Sequence, residues 1–370
     1  MNNNLFRAQT IGSMLRPAYL RDARRALRRN EISNAAFKKL EDRAVDEALA
    51  VQEAAGLDIV ADGEQRRMSF LGSLLDATEG LERTQTLTRP WHSGGDHVED
   101  LTLGLVVTGK IDRRRPLATE EFVYLRSRAH KPVKVALPSP MMLNMFWSPE
   151  QSRKAYRDPF DLFADGARII RSEIEELATL GCEYIQIDAP ELATLVDPTA
   201  TAELYNRNGI DPERMLDEGV AMLNTLAGNH PSVRFGLHLC RGNNDGRWLA
   251  QGGYDSIAHE LFQRATNYDE FLLEYDSPRA GGFAPLAEVP RGKAVVLGLI
   301  SSKVAELENE REVAARIEDA ARFFPLDRMG ISTQCGFASG IRGNPVSSEI
   351  QARKLAIVGA VARRVWGPRA

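Results

Sequence analysis

Ile11-Gly12-Ser13-Met14-Leu15-Arg16-Pro17 closes the first apolar run of the chain, and its reading decides the fold. In an open, doubly wound α/β sheet the turn after the first strand carries a glycine-rich signature, G-x-G-x-x-G, which brings backbone close to a phosphate. Here one glycine is followed by serine, and proline ends the stretch. That signature is missing, so the sequence favours the other common α/β arrangement. This is a (β/α)8 barrel, whose parallel strands close on themselves and whose sites lie at the strands' C-terminal ends.

Outward from this turn, short β-rich runs alternate with helical periods. A helix opens after Ser33 and runs to Gly56, with Phe37, Leu40, Ala44 and Leu49 at helical spacing, and a strand at Asp58–Ala61 follows. Further helices are expected from about Asp161 to Gly181, around Glu213–Ala227 and around Val313–Phe323. Each precedes a strand, at Tyr184–Asp188, Val233–Cys240 and Met329–Cys335 respectively. Eight strands are predicted to end at Gly12, Glu64, Pro138, Asp188, Cys240, Glu274, Ile300 and Cys335. The stretch from Trp91 to Pro116 breaks the rhythm. It is read as part of an insertion after the second strand, over about 85–130, in one domain spanning 1–370. Its Arg113-Arg114-Arg115 run reads as solvated surface, because no glycine-rich helix start accompanies it.

Composition narrows the function. A formal net charge of −4 gives no footprint for nucleic acid or an anionic membrane. No apolar run approaches the roughly 20 residues of a membrane span, and Met1 to Leu5 lacks the apolar core of a secretory signal. A cytoplasmic protein is expected. Three cysteines, Cys182, Cys240 and Cys335, are too few and odd in number for a disulfide framework.

Two of those cysteines fall at strand ends. In Phe235-Gly236-Leu237-His238-Leu239-Cys240, alternation puts His238 and Cys240 on one face. Such a pair fits two separate core residues or two ligands of one Zn²⁺. Glu274 ends the apolar run Phe271-Leu272-Leu273 and needs either a buried ion pair or a bound cation. Cys335, before Gly336, reads as a small core residue or a ligand. Because the four strand ends converge in a barrel, His238, Cys240, Glu274 and Cys335 together predict a zinc site. Cys182, at a helix–strand junction, is expected to be structural.

With these residues in place the chain resembles the catalytic C-terminal barrel of cobalamin-independent methionine synthases, and more closely the short, stand-alone members of that superfamily. The resemblance runs from Thr10-Ile11-Gly12-Ser13 to Cys335-Gly336. It implies that His238, Cys240, Glu274 and Cys335 hold zinc and that zinc binds the thiolate of homocysteine. It also implies that Gly12 and Ser13 meet the amino acid's carboxylate, while Glu64 and Asp188 meet its ammonium. Asp188-Ala189-Pro190 stands where the synthases carry Asp-Glu-Pro, with Glu191 displaced by two positions. Leu297-Gly298-Leu299-Ile300-Ser301-Ser302-Lys303 lacks the family's histidine. Lys303 is suited to an anionic group, not to acid catalysis at neutral pH. Leu137 to Trp147 resembles the donor-side loop, in which Phe146 or Trp147 either stacks on a flat donor or packs a loop core.

The expectation is a zinc-dependent S-alkyltransferase that methylates a thiol, homocysteine first, from an unassigned donor. Two alternatives stay open. One is thiol addition to an epoxide, as in epoxyalkane–coenzyme M transferases, although Glu64 and Asp188 would repel a sulfonate. The other is a non-catalytic zinc barrel. The expected partners are a small thiol and a small-molecule alkyl donor, with homo-oligomerisation left open.

Overall fold

A computed structural model describes residues 5–85, 87–93, 96–101 and 104–368. Met1–Asn4 and the glycine pair of the predicted insertion lie outside the described residues. In chain order the strands are β1 (Ala8–Gln9), β2 (Leu81–Arg83), β3 (Thr88–Ser93), β4 (Asp96–Leu101), β5 (Leu105–Val107) and β6 (Val135–Pro138). They continue with β7 (Tyr184–Asp188), β8 (Arg234–Leu239), β9 (Glu270–Glu274), β10 (Ala294–Ile300) and β11 (Met329–Thr333).

Every residue of β7, β9, β10 and β11 is buried. Near-continuous apolar runs of this kind belong to parallel strands covered on both faces. Seven strands form one parallel sheet in the order β1-β11-β10-β9-β8-β7-β6. The chain is thus an α/β fold with a curled parallel sheet, as a TIM-barrel-like fold requires.

The predicted second strand, Asp58–Ala61, forms no ladder. It makes one parallel bridge, Val60 to Val133. Its backbone still touches both edges of the sheet: the Asp58 N–H donates to the Ala8 carbonyl at 2.9 Å, and the Lys134 N–H to the Val60 carbonyl at 2.9 Å. The ladder stops because Gln52, on the preceding helix, takes both backbone groups of Ala61. Its amide accepts from the Ala61 N–H at 2.9 Å and donates to the Ala61 carbonyl at 2.7 Å. Three more boundaries move. β1 ends at Gln9 rather than Gly12, β8 at Leu239 rather than Cys240, and β11 at Thr333 rather than Cys335.

The expected helices form at Asn34–Ala54, Pro159–Thr179, Pro212–Leu226 and Glu310–Ala320. Each starts on a side-chain cap, from Ser33, Asp158, Asp211 and Asn309, which satisfies an N–H of the first turn. Ser348–Trp366, capped by Ser347, is a further long helix that the sequence reading left unassigned.

None of the described residues in 85–130 belongs to the parallel sheet. β5 pairs antiparallel with β2, β3 pairs with β4, and a helix follows at Thr119–Arg126. Buried Glu173 anchors this stretch by accepting from the N–H groups of Leu117, Ala118 and Thr119 at 2.6–2.9 Å. Arg113 pairs with Glu173 and Glu176 and Arg114 with Glu79, while Arg115 donates to the Asp76 carbonyl at 3.3 Å. Among the described residues no helix is long and apolar enough to cross a membrane.

Candidate metal centre

β8 carries His238 inside its last turn of pleat and hands the chain to Cys240 one residue past its end. β11 ends two residues before Cys335. The strand β7 and then β8, β9, β10 and β11 lie side by side, so these ends converge. The ligand atoms of His238, Cys240 and Cys335 all lie within 4.8 Å of one another, and all three side chains are buried.

Three observations bear on whether a zinc ion fits. The Cys240 and Cys335 sulfurs are 3.7 Å apart, and both thiols are free. A disulfide needs about 2.05 Å. Two thiolates each about 2.3 Å from a tetrahedral zinc lie roughly 3.8 Å apart. The His238 Nδ1 is 3.2 Å from the Leu272 carbonyl, which sets it as the donor nitrogen. The His238 Nε2 is then buried with no hydrogen-bond partner. A buried lone pair beside two sulfurs, otherwise orphaned, is what a metal ligand looks like without its ion. In the protein alone the two thiols share a charge unequally. The hydrogen bond from Cys240 pulls Cys335 well below the usual thiol range and holds Cys240 well above it, and His238 adds to the depression of Cys335.

Glu274 stands outside this group. Its carboxylate pairs with Arg279, lies 3.5 Å from the Lys303 Nζ and accepts from the Arg241 N–H at 2.6 Å. Burial alone would raise its pKa, but Lys303, Arg279 and Arg241 outweigh it and hold the carboxyl well below the usual range. The buried ion pair left open by the sequence is therefore present. Lys303 serves that pair.

A cavity of about 240 Å³ opens on the sulfurs. Ser13, Glu64 and Asp188 line it together with His238, Cys240 and Cys335. Glu64 sits in a left-handed backbone conformation, φ 54°, a strain that surrounding structure must hold in place. Burial pushes its carboxyl up to about 8, against the pull of Arg67 and Arg16. Burial also raises Asp188, against His238 and the 2.6 Å hydrogen bond from Gln186. Gly12 is not part of the lining, but it makes room for it: a Cβ there would meet the Glu64 Oε1 at 2.9 Å. Glu191 is turned elsewhere, accepting from the Ser139 hydroxyl at 2.5 Å.

The apolar wall of the cavity is Phe70, Trp91, Met142 and Met145. Phe146 and Trp147 are packed in the core instead, 0% and 1% exposed, and the Trp147 indole donates to the Asn208 carbonyl at 3.0 Å. Packing, not donor stacking, is what the structure gives these two rings. Sequence reasoning missed Lys134 and Gln186. Lys134 donates to the Gln186 amide oxygen at 2.8 Å, and Gln186 orients Asp188. Their signal was a polar side chain interrupting an apolar strand, in Val133-Lys134-Val135 and Ile185-Gln186-Ile187.

Known proteins match this arrangement. The family model "Cobalamin-independent synthase, Catalytic domain" matches residues 6–354. The protein YxjG of Bacillus subtilis is 33% identical over 366 residues, which is 98% of this chain and 95% of that protein. The 5-methyltetrahydropteroyltriglutamate–homocysteine methyltransferase of Mycolicibacterium paratuberculosis is 26% identical over 329 residues, covering 88% of this chain but 39% of the relative. The chain therefore spans well under half the length of that methyltransferase. A putative vitamin-B12 independent methionine synthase from Listeria monocytogenes superposes with a TM-score of 0.72 at 28% identity, over 98% of both chains. A B12-independent methionine synthase from a Shewanella species, solved in complex with selenomethionine, shares the fold with a TM-score of 0.74 at 21% identity and the same coverage. The chain belongs to the cobalamin-independent methionine synthase family, as a short member built on the catalytic domain.

Proposed function

We propose that this methyltransferase-family chain is a zinc-dependent S-methyltransferase whose acceptor is an amino-acid thiol, homocysteine first, and whose donor is unassigned. The supporting observation is the buried trio of His238, Cys240 and Cys335 with an unpartnered Nε2, opening on a cavity that also holds two carboxyls. A single unit comprising the whole chain, with a closed eight-strand barrel and 85–130 as its insertion, is part of the same reading.

His238, Cys240 and Cys335 would hold the ion, two thiolates balancing its two charges. Three protein ligands and one exchangeable position suit a catalytic zinc site. Glu274 is the proposed fourth ligand when no thiol is bound, and its grip by Arg279 and Lys303 favours its release. Bound zinc would stabilise the substrate thiolate over the thiol near neutral pH, and the thiolate is the nucleophile. Glu64 and Asp188 bind the substrate ammonium, which restores their ionised forms by direct charge pairing. Ser13, beside Gly12, receives the substrate carboxylate. Lys134 and Gln186 keep the Asp188 carboxylate turned toward the cavity. Phe70, Trp91, Met142 and Met145 exclude water from the thiolate and present an apolar surface to the donor. The carboxyl pair disfavours a sulfonate-bearing thiol, and the open cavity disfavours a purely structural site.

X-ray absorption at the zinc edge tests this reading. Homocysteine should raise the sulfur count from the two of Cys240 and Cys335 to three. An unchanged sulfur shell with and without thiol overturns the transferase. Cys335→Ser and His238→Ala should each abolish stoichiometric zinc. Activity should fall more than the roughly 10–100-fold typical of outer-shell changes.

A further inference from the structure

The turn Ser13-Met14-Leu15-Arg16 that follows β1 ends on an arginine whose side chain is 0% exposed. A buried guanidinium beside a carboxylate ordinarily pairs with it through two parallel hydrogen bonds. Arg16 does otherwise. Its Nη2 lies 3.9 Å from the Glu64 Oε2, and that oxygen finds no hydrogen-bond partner among the described residues. The fork is directed instead at two backbone carbonyls from different loops. Nη2 donates to the Glu64 carbonyl at 2.7 Å, and Nη1 donates to the carbonyl of Ala338, three residues past Cys335.

The two carbonyls belong to two segments that line the cavity at the sulfurs. Glu64 keeps a left-handed backbone, φ 54°, which a residue other than glycine holds only under restraint. Its N–H donates to the Asp62 carboxylate at 2.9 Å, and its carbonyl accepts from Arg16 and from the Arg67 N–H at 3.1 Å. Ala338 lies in the loop after β11, which carries Cys335. The same loop is tied to the turn a second time, by the Phe337 N–H donating to the Ser13 carbonyl at 2.7 Å. One rigid, planar group thus bonds to Glu64 and to the cysteine loop at once.

We propose that Arg16 is a positioning residue that fixes Glu64 against the Cys335 loop, so that the acceptor's ammonium and sulfur are read at one set separation. This rests on the transferase reading, in which Glu64 meets the ammonium. Turned onto carbonyls, the guanidinium leaves the Glu64 Oε2 open to that ammonium. Its charge, close by, still opposes the rise that burial imposes on the carboxyl. A bidentate pair would instead fill the carboxylate and shut the ammonium out.

Calorimetric titration of the full-length, zinc-loaded protein tests this role without any turnover, with zinc content measured alongside. The probes are L-homocysteine and γ-mercaptobutyrate, the same thiol acid without the ammonium. Wild type should prefer homocysteine. Arg16→Gln should bind homocysteine about tenfold or more weakly, keep its affinity for γ-mercaptobutyrate within about twofold and retain zinc. Arg16→Lys keeps the buried charge but replaces the fork with a single ammonium, so it should show the same selective loss. It also carries the test if Arg16→Gln does not fold, which circular dichroism reports. Unchanged homocysteine affinity in both variants overturns the proposal. Full recovery in Arg16→Lys does so too, because charge alone would then suffice. An equal loss of both probes, or a loss of zinc, marks a merely structural role and also overturns it. A wild type that binds both probes alike removes the amino-acid acceptor and the positioning role together. A variant that keeps the wild-type preference removes Arg16 alone.

Discussion

β9 begins and ends on a buried carboxylate, and the two ends are built differently. Glu270 and Glu274 are each 0% exposed. Glu270 accepts from Tyr184, from Gln9 at 3.0 Å and from Arg234 at 2.9 Å. All three partners come from strands of the same sheet. Glu274 is held by Arg279, Lys303 and the Arg241 N–H, which come from the loops after β8, β9 and β10. One carboxylate is locked into the sheet, while the other is gripped by segments that lie beyond it. In barrels of this kind the first end serves stability and the second serves chemistry. Four residues apart on one strand, the same side chain takes on both tasks.

Substituting each glutamate breaks or sharpens that contrast. Glu270→Gln removes a charge from a buried pair and should lower the unfolding free energy by about 3–5 kcal/mol. Chemical denaturation should give the same loss with and without a zinc chelator. Glu274→Gln also strands cations, but its effect should depend on the chelator, because zinc affinity falls along with stability. Zinc content after dialysis should remain near one per chain in Glu270→Gln and drop in Glu274→Gln. A chelator-independent loss in both variants would erase the distinction between the two ends.

The sequence carried one end of this contrast, Glu274, and no reading of Glu270. Strand ends at Pro138, Asp188, Glu274 and Ile300 match the observed ones, because continuous buried runs leave little choice of boundary. His238, Cys240 and Cys335 were legible from alternation and from the convergence of strand ends. What was not legible depends on partners distant in the chain. Gln52 captures Ala61 and stops the second ladder, a contact between a helix interior and a strand that no local pattern announces. Glu274 was read as an ion pair or a ligand, and only the fold shows Arg279 and Lys303 reaching it. Phe146 and Trp147 end the stretch that resembles the donor-side loop, and so look functional. The 3₁₀ helix Pro140–Phe146 turns Met142 and Met145 toward the cavity in their place.

The carboxyls at the cavity give a smaller, pH-dependent effect. Glu64 has a folded pKa of about 8 against an ordinary value of 4.5, raised by burial and by Asp188 and Asp62, and opposed by Arg67 and Arg16. A raised folded pKa means that the native state holds this proton more tightly than the unfolded chain. Its stabilising contribution is therefore complete below about pH 4.5 and is lost as pH rises toward 8. Glu64→Gln removes the titration, so its melting temperature relative to wild type should climb between pH 5 and pH 8. The change should be on the order of 2 kcal/mol, less than the shift alone implies because the cavity admits water. Homocysteine should stabilise the wild type at pH 8 and the Gln variant much less. A parallel pair of melting curves across this range would remove Glu64 from the ammonium site.

The smallest effect separates a core ring from a cavity ring. Trp147 is 1% exposed and Trp91 is 8% exposed, yet only Trp91 lines the cavity. Trp147→Phe loses the indole hydrogen bond to the Asn208 carbonyl, which is half-buried and can turn to water. The loss should come to about 1 kcal/mol in stability, with KM for the donor unchanged within about twofold. Trp91→Ala opens the apolar wall and should raise KM for the donor several-fold. A Trp147→Phe variant with native stability and a raised donor KM would restore the stacking role that the sequence left open. It would also mean that the 3₁₀ segment rearranges when the donor binds. The two tryptophans thus test whether this wall of the cavity is already in place before the donor arrives.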